Sequence, residues 1–297
     1  MGVEVEIRGG NGRDWNMRTL LRRSAIAFLS FLAFSAVAAG QGYVQNQNYT
    51  QNKNVFADKL PDGPGGPAPR HDLNGTWVGP IGAKGTLPGD VPELTPLGKQ
   101  LLSQNKPEAK FNVAGTNDPF VRTCDPLGFP RNMLFEMRGV PIGELLGMTF
   151  VSLPDRVFLL SQFQQVWREI WTDGRGLPKN AGSTGTDAPD PRYYGYSVGH
   201  WEADNIFVVD TTGIDDSTWL NRVGYPHTLE AVLHERYTRA DHNDLQLTIT
   251  VDDPKLYTKP WALATVQYKW LPSQNLGEQL CIPSRVIEYL KIMGDSQ

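Results

Sequence analysis

The chain reads EAVLHERYTRADHNDLQLTITV over residues 230–251, and this stretch has the pattern of a β-hairpin. From Leu245 to Val251, apolar residues alternate with glutamine and threonine, which is the period of a strand with one buried face. The polar residues 241–244 supply the turn between this strand and the one before it. The stretch therefore predicts two antiparallel strands joined by a short connection.

Similar patterns lie on both sides of this hairpin. Two further hairpins are predicted over residues 156–173 and 196–210, and another strand over residues 261–270. Only residues 95–104 clearly predict a helix, with Thr95 as its N-cap and a proline in the first helical position. Sequential hairpins with so little helix predict an all-β fold, an antiparallel meander that closes into a barrel. Closure would remove the exposed edges of the sheet.

Residues 1–39 have the layout of a secretory signal. A basic segment that begins at Met17 is followed by an apolar run over residues 25–39, which ends in small residues. Since residues 1–16 are polar and fit no signal architecture, Met17 is a second candidate for the true start. A run of about fifteen apolar residues is too short to cross a bilayer comfortably, so no stable membrane span is expected after signal cleavage. We predict a periplasmic or secreted protein.

Composition divides the rest of the chain. Residues 40–70 are rich in glutamine and asparagine and then in proline and glycine, which predicts a disordered linker. Residues 71–285 are predicted to form a single β-barrel domain, and residues 286–297 an irregular tail. The net charge is −4 and no block of Lys or Arg lies beyond the N-terminal segment, so a nucleic-acid partner is not expected.

Cys124 and Cys281 are the two cysteines of the chain. Two cysteines are too few for a cysteine-rich zinc module or for a small fold held by many disulfides. In an oxidising compartment, a pair of cysteines more often forms a disulfide than two reactive thiols. We therefore predict a disulfide between them, with two buried thiols as the alternative.

Several sequence blocks resemble the signatures of a family of exported bacterial proteins of uncharacterised function. They are CDPLGFPR (124–131), WTDGR (171–175), GYSVGHWE (195–202), VDTTG (209–213) and DDPKLYTKPW (252–261). The resemblance covers residues 72–281 and implies export and an all-β domain, but no reaction. The sequence Gly75-Thr-Trp77 is also similar to the first strand of lipocalin-like barrels, in which the tryptophan plugs one end of the barrel.

Titratable side chains concentrate in the strand predicted after residue 230. Glu230, His234 and Arg236 share one face of this strand, because side chains alternate across it. If this face lines the barrel, His234 is a candidate general acid/base oriented by Glu230 or Asp210. Arg168 or Arg236 would then stabilise developing negative charge. The alternative is a hydrogen-bonded histidine beside a structural ion pair.

Two other catalytic arrangements are weaker. Ser197 lies in a Gly-x-Ser-x-Gly sequence, and Asp210 and His227 follow it in an order that a catalytic triad permits. No helix is predicted after the serine, so strand packing with glycines at crowded positions is the more natural reading. His227 and His234 with Glu230 could supply metal ligands, yet no His-x-His or His-Glu-x-x-His motif is present. Neither a metal nor another cofactor is therefore predicted.

The chain holds 8 tryptophans, many for a domain of this size, and most of those in the predicted strands are expected to belong to the core. Some of them are expected to line an apolar pocket at the mouth of the barrel, where aromatic walls and a few polar groups hold a small ligand. The predicted ligand-binding residues are Trp171, Asp173, Arg175, Tyr196, His200, Trp201 and His227. The first hypothesis is a protein that binds a small apolar or aromatic molecule. The alternative is a cofactor-free lyase, isomerase or hydrolase that works in the same pocket.

Overall fold

A computed structural model describes residues 65–84, 91–107, 115–134, 146–272 and 276–295. The predicted signal segment, residues 1–39, lies outside the described residues, as does most of the predicted linker. The described part of that linker, residues 65–70, forms bends and turns without helix or strand. Among the described residues, no helix combines the length and the apolar character that crossing a membrane requires.

Nine strands close into a barrel in chain order. They are β1 (Gly75–Lys84), β2 (Leu146–Ser152), β3 (Arg156–Ser161), β4 (Trp167–Trp171), β5 (Tyr196–Ala203), β6 (Ile206–Thr212), β7 (Val232–Arg239), β8 (Asp244–Asp252) and β9 (Trp261–Trp270). The predicted all-β barrel is confirmed, and so are its three hairpins and the strand over residues 261–270. With its nine strands closed and only a few short helices among the described residues, the architecture is consistent with a lipocalin-like barrel.

One pair of neighbouring strands departs from the predicted antiparallel meander. β4 and β5 run parallel, and they are paired only at Ile170 with Ser197 and at Trp171 with Val198. A parallel neighbour requires a long return connection, which residues 172–195 provide. We call this junction the parallel seam. For comparison, the antiparallel strands β7 and β8 pair along eight residues.

The described residues include four short helices. They are α1 (Pro96–Gln104), α2 (Pro119–Thr123), α3 (Arg131–Leu134) and α4 (Pro283–Ile292). The prediction for α1 is confirmed, including its N-cap, because the Thr95 hydroxyl accepts a hydrogen bond from the Gly98 amide at 3.1 Å.

Helix α4 corrects the prediction that residues 286–297 form an irregular tail. The helix begins at Pro283, whose fixed φ suits the first helical position. Leu290 is only 4% exposed, and the Asp295 carboxylate beyond the helix pairs with Arg122 of α2 at 2.5 Å. A helix this short depends on such distant contacts, which the local sequence pattern does not reveal.

The predicted disulfide between Cys124 and Cys281 is present, with a distance of 5.5 Å between the two Cα atoms. Cys124 is the C-cap residue of α2, and Cys281 lies two residues before the start of α4. The covalent bond therefore joins α2 to α4, and the described residues contain no free cysteine.

Side chains fill the interior of the barrel. At one end, the Trp77 indole donates a hydrogen bond to the Leu73 carbonyl at 2.8 Å, and the Arg239 guanidinium lies 4.9 Å from the Trp77 ring centroid. Near the start of β5, the amide of Phe129 donates to the Tyr193 carbonyl at 3.0 Å. The fully buried aromatic residues are Trp77, Phe129, Phe150, Phe207, Tyr237, Tyr257, Trp261 and Tyr268. Together they form a large part of the barrel core.

The disulfide is expected to stabilise the barrel domain substantially. The double variant Cys124→Ser/Cys281→Ser removes a cross-link over 157 residues, which the chain-entropy account values at up to about 5 kcal/mol of unfolding free energy. Urea unfolding of this variant beside the oxidised natural chain measures the difference. Equal midpoints for the two proteins would show that the cross-link contributes nothing.

Candidate functional site

The catalytic hypothesis required the face of β7 that carries His234 and Arg236 to line the barrel. The opposite face turns inward instead. Leu233, Glu235 and Tyr237 are buried in the barrel, whereas His234 and Arg236 are exposed on its outer surface. The apolar side chains determine this choice, because a strand in a closed barrel buries its more apolar face.

The outward-facing titratable side chains of the predicted catalytic site form three separate pairs. They are the hydrogen-bonded pair His234–Asp210 (2.6 Å from Nδ1 to Oδ1) and the ion pairs Glu230–Lys255 (2.6 Å) and Arg236–Glu202. All three pairs are exposed, so each contributes little to stability. Arg168 lies inside the barrel instead. The structure therefore does not bring the five predicted catalytic side chains together.

A buried polar cluster spans the parallel seam on the inner face of the barrel. Its members are Arg168 of β4, Ser197 of β5, Thr211 of β6, and Glu235 and Tyr237 of β7. We call it the inner cluster; each of its residues is 4% exposed or less. The sequence predicted a role for Arg168 but assigned it to a different set of partners.

Arg168 makes most of the hydrogen bonds in the inner cluster. Its guanidinium donates to both carboxylate oxygens of Glu235, at 2.7 Å for Oε2, and to the Thr211 hydroxyl. It also donates twice to the Ser197 hydroxyl, at 2.9 and 3.1 Å. The Tyr237 hydroxyl donates to Glu235 at 2.7 Å. The carboxylate is thus fully supplied with donors, as a buried charge requires.

Burial and charge together fix the protonation states of the inner cluster. Burial lowers the pKa of Arg168, but the charge and hydrogen bonds of Glu235 outweigh it and leave the pKa above its usual value. Burial, and then the negative charge of Glu235, raise the pKa of Tyr237. Arg168 therefore stays charged and Tyr237 stays neutral, so both remain hydrogen-bond donors. The Phe129 ring centroid lies 4.0 Å from the Arg168 guanidinium carbon and adds a cation–π contact.

The Gly-x-Ser-x-Gly sequence is part of strand β5 and does not form a nucleophile elbow. Ser197 is buried in the inner cluster, while Asp210 lies on the outer surface and His227 is bonded to Thr218, so no triad forms. A Cβ atom at Gly199 would lie 2.7 Å from the ring of Phe207. Close packing of the strand thus accounts for this glycine, as the sequence analysis expected.

A groove of about 640 Å³ opens in the barrel wall at the parallel seam. Strand β4 forms one side, residues 191–198 form the other, and residues 175–178 extend the rim. The groove exists because the two strands pair over only two residues and then separate. Its volume lies within the range of about 300–1,000 Å³ that is usual for small-molecule sites. We call it the wall groove.

Three of the predicted ligand-binding residues, Trp171, Arg175 and Tyr196, line the wall groove. Trp171 is enclosed between two guanidinium groups, since the Cζ atoms of Arg156 and Arg175 lie 3.6 and 3.4 Å from its ring centroid. Asp173 holds Arg175 in place by ion pairing at 2.6 Å, and hydrogen bonds from Arg175 lower the pKa of Asp173 to about 2. These four residues are therefore linked by direct contacts along one side of the groove.

The structure adds Trp167, Arg192 and Tyr193 to the residues of the wall groove. The Trp167 side chain is 69% exposed, the largest exposed fraction of any aromatic residue in the described chain. A second groove of about 220 Å³ lies along β3 and β4, and Trp167 borders it too. The sequence does carry a signal for Arg192 and Tyr193, because the run Arg192-Tyr193-Tyr194 comes just before a predicted strand. Loops beside rigid strands commonly carry binding residues.

Three other predicted ligand-binding residues lie away from the wall groove. His200 is exposed on the outer face of β5, and Trp201 stacks on His71 with 5.0 Å between the ring centroids. His227 is buried, with 2.9 Å between its Nε2 and the Thr218 hydroxyl. Within the described ranges, no three or more His, Cys, Asp or Glu side chains are grouped so as to hold a metal ion.

Comparison of the chain with protein-family models, curated proteins and solved structures finds no match. The resemblance of its sequence blocks to an exported bacterial family therefore stays a prediction.

The inner cluster predicts that replacing Arg168 alone lowers the unfolding free energy more than replacing Arg168 and Glu235 together. Arg168→Met leaves the Glu235 charge buried without its partner, which is expected to lower the unfolding free energy by about 3–5 kcal/mol. Arg168→Met/Glu235→Met removes both charges and is expected to recover much of that loss. Urea unfolding of the natural chain and the two variants gives both values, and a double variant no more stable than Arg168→Met would contradict the pairing.

His227 predicts a dependence of stability on pH. Burial lowers the pKa of His227 below its usual value of 6.5. Below that pH the unfolded chain binds a proton that the folded chain does not, so the unfolding free energy falls with decreasing pH, by up to about 1.4 kcal/mol per unit.

The variant His227→Gln is expected to flatten this dependence, and the exposed His234→Gln serves as its control. Urea unfolding at several pH values between 5 and 7.5 gives the slope for each protein. An unchanged slope in His227→Gln would show that another group causes the dependence.

Proposed function

We propose that the protein binds a small aromatic molecule in the wall groove. The observation that carries the proposal is an aromatic lining, formed by Trp167, Tyr193 and Tyr196, on a groove of the size of a small ligand. Aromatic walls with a few fixed polar groups are typical of small-molecule sites. The inner cluster lies behind the groove, and its hydrogen-bonding groups already bind one another.

Trp167 is the side chain that a ligand would cover. It projects outward from β4, and across the strand pair it lies opposite Leu160, which is also exposed. Exposed apolar patches on soluble domains often mark binding surfaces. A planar ligand stacked on the Trp167 ring would remove apolar area from water and add a favourable ring contact.

The walls of the groove are held in place by contacts within the chain. On one side, the stack of Arg156, Trp171 and Arg175 is anchored by Asp173. On the other, the Tyr196 hydroxyl donates a hydrogen bond to the Asp190 carbonyl at 2.7 Å. A preformed site loses little conformational entropy on binding, which favours affinity for a small rigid molecule.

The proposed place of action is the periplasm or the extracellular space. The signal-like segment of residues 1–39 and the resemblance to an exported family support this part of the proposal. The disulfide between Cys124 and Cys281 supports it independently, since such bonds persist mainly in oxidising compartments. Its ligand would then be a molecule met outside the cytoplasm.

Binding is tested with N-phenyl-naphthylamine, a neutral aromatic probe whose fluorescence rises in apolar surroundings. We expect saturable binding to the natural chain, and Trp167→Ala is expected to weaken it about tenfold, because ring stacking and buried area are lost. Ile292→Ala, at an equally exposed apolar residue of α4 (70%), is the control and should bind normally. Absence of binding, or equal binding by Trp167→Ala, would contradict the proposal.

A further inference from the structure

The charged side chains that line the wall groove are neutralised by neighbours, with one exception. Three of the four have ion-pair partners within the described residues. Their pairs are Arg168–Glu235, Glu169–Arg156 (2.6 Å) and Arg175–Asp173 (2.6 Å). The fourth, Arg192, has no carboxylate within ion-pair distance in the part of the chain that the structure describes. The groove therefore offers one uncompensated positive charge.

Arg192 is held in position although its charge is unpaired. Its guanidinium carbon lies 4.2 Å from the ring centroid of Tyr196, whose hydroxyl is bonded to the Asp190 carbonyl. The Arg192 backbone is fixed as well, because its amide donates to the Gly213 carbonyl and its own carbonyl accepts from the Gly195 amide, both at 3.0 Å. A guanidinium fixed on an aromatic ring loses little freedom when a ligand binds to its N–H groups.

The chemistry of this arrangement favours a negative ligand. A guanidinium stacked on a ring keeps the N–H groups along its edge, and these match the two oxygens of a carboxylate. The one carboxylate on the described lining, Glu169, is held by Arg156 and is thereby screened from an incoming anion. Trp167 supplies an apolar ring surface in the same groove.

We infer that the ligand of the wall groove is an aromatic anion, with its acidic group bound by Arg192 and its ring stacked on Trp167. This inference rests on the proposed function and narrows it from aromatic molecules in general to aryl carboxylates and related acids. Arg192 is then the residue that determines specificity, and Trp167 the residue that provides affinity for any planar ring.

The test compares naphthoate with naphthamide, which have the same ring and nearly the same shape but differ in charge. Calorimetric titration of the natural chain is expected to give about tenfold tighter binding of naphthoate, the usual effect of a charged hydrogen bond. Arg192→Gln should abolish that preference while the affinity for naphthamide stays the same. Arg192→Lys, which keeps the charge but loses the planar fork, should retain part of it.

The control is Arg285→Gln, which makes the same change in net charge at an exposed position of α4. It should keep the full preference for naphthoate, because the effect of Arg192 is local. A preference that persists in Arg192→Gln, or an equal loss of both probes, would overturn the inference.

The two proposals fail in different ways. If naphthamide and N-phenyl-naphthylamine bind through Trp167 but naphthoate binds no more tightly, the aromatic site stands and the preference for anions is wrong. If no aromatic probe binds to the natural chain, the proposed function is wrong, and the inference about Arg192 fails with it.

Discussion

The ion pair between Arg168 and Glu235 connects the barrel strands from the inside where their backbone pairing is shortest. β4 and β5 share only two paired residues, whereas their neighbours are paired along much longer stretches. Arg168 extends from β4 past this junction to Ser197 on β5, Thr211 on β6 and Glu235 on β7. Side-chain hydrogen bonds thus join four strands around the seam. A buried charge pair is costly to desolvate, and the many donors around Glu235 offset that cost.

The same short junction creates the wall groove. Where β4 and residues 191–195 separate, the aromatic side chains Trp167, Tyr193 and Tyr196 border the gap. Arg168 and Ser197, which belong to the inner cluster, line it as well. The parallel pairing of β4 and β5 therefore accounts both for the inner cluster that bridges the seam and for the wall groove beside it.

Patterns within one strand predicted the fold well. The alternation over residues 245–251 identified the buried face of β8, and Thr95 with the proline after it identified the start of α1. The parallel pair was not predictable in this way, because a long connection between strands permits either direction. Helix α4 was missed for a related reason, since the disulfide and the bond between Arg122 and Asp295 that hold it come from distant residues.

The candidate site was predicted only in part. Strand β7 carries charged residues on both faces, which obscured the more apolar face formed by Leu233 and Tyr237. The charge of Glu235 on that face is compensated by Arg168, which lies 67 residues away in the chain. Trp171, Arg175 and Tyr196 were among the predicted ligand-binding residues, and all three line the groove. Arg192 and Tyr193 were missed, because their place in the groove depends on how the connection of residues 172–195 returns to β5.

Native-state hydrogen exchange of the amides in Arg168→Met, set against the natural chain, tests most directly whether this side chain closes the seam. Exchange reports the free energy of opening segment by segment. If Arg168 closes the seam, the opening free energy of residues 167–171 and 196–198 falls more than that of β7 and β8. An equal decrease along all strands, or no decrease at the seam, would show that the barrel stays closed there without the inner cluster.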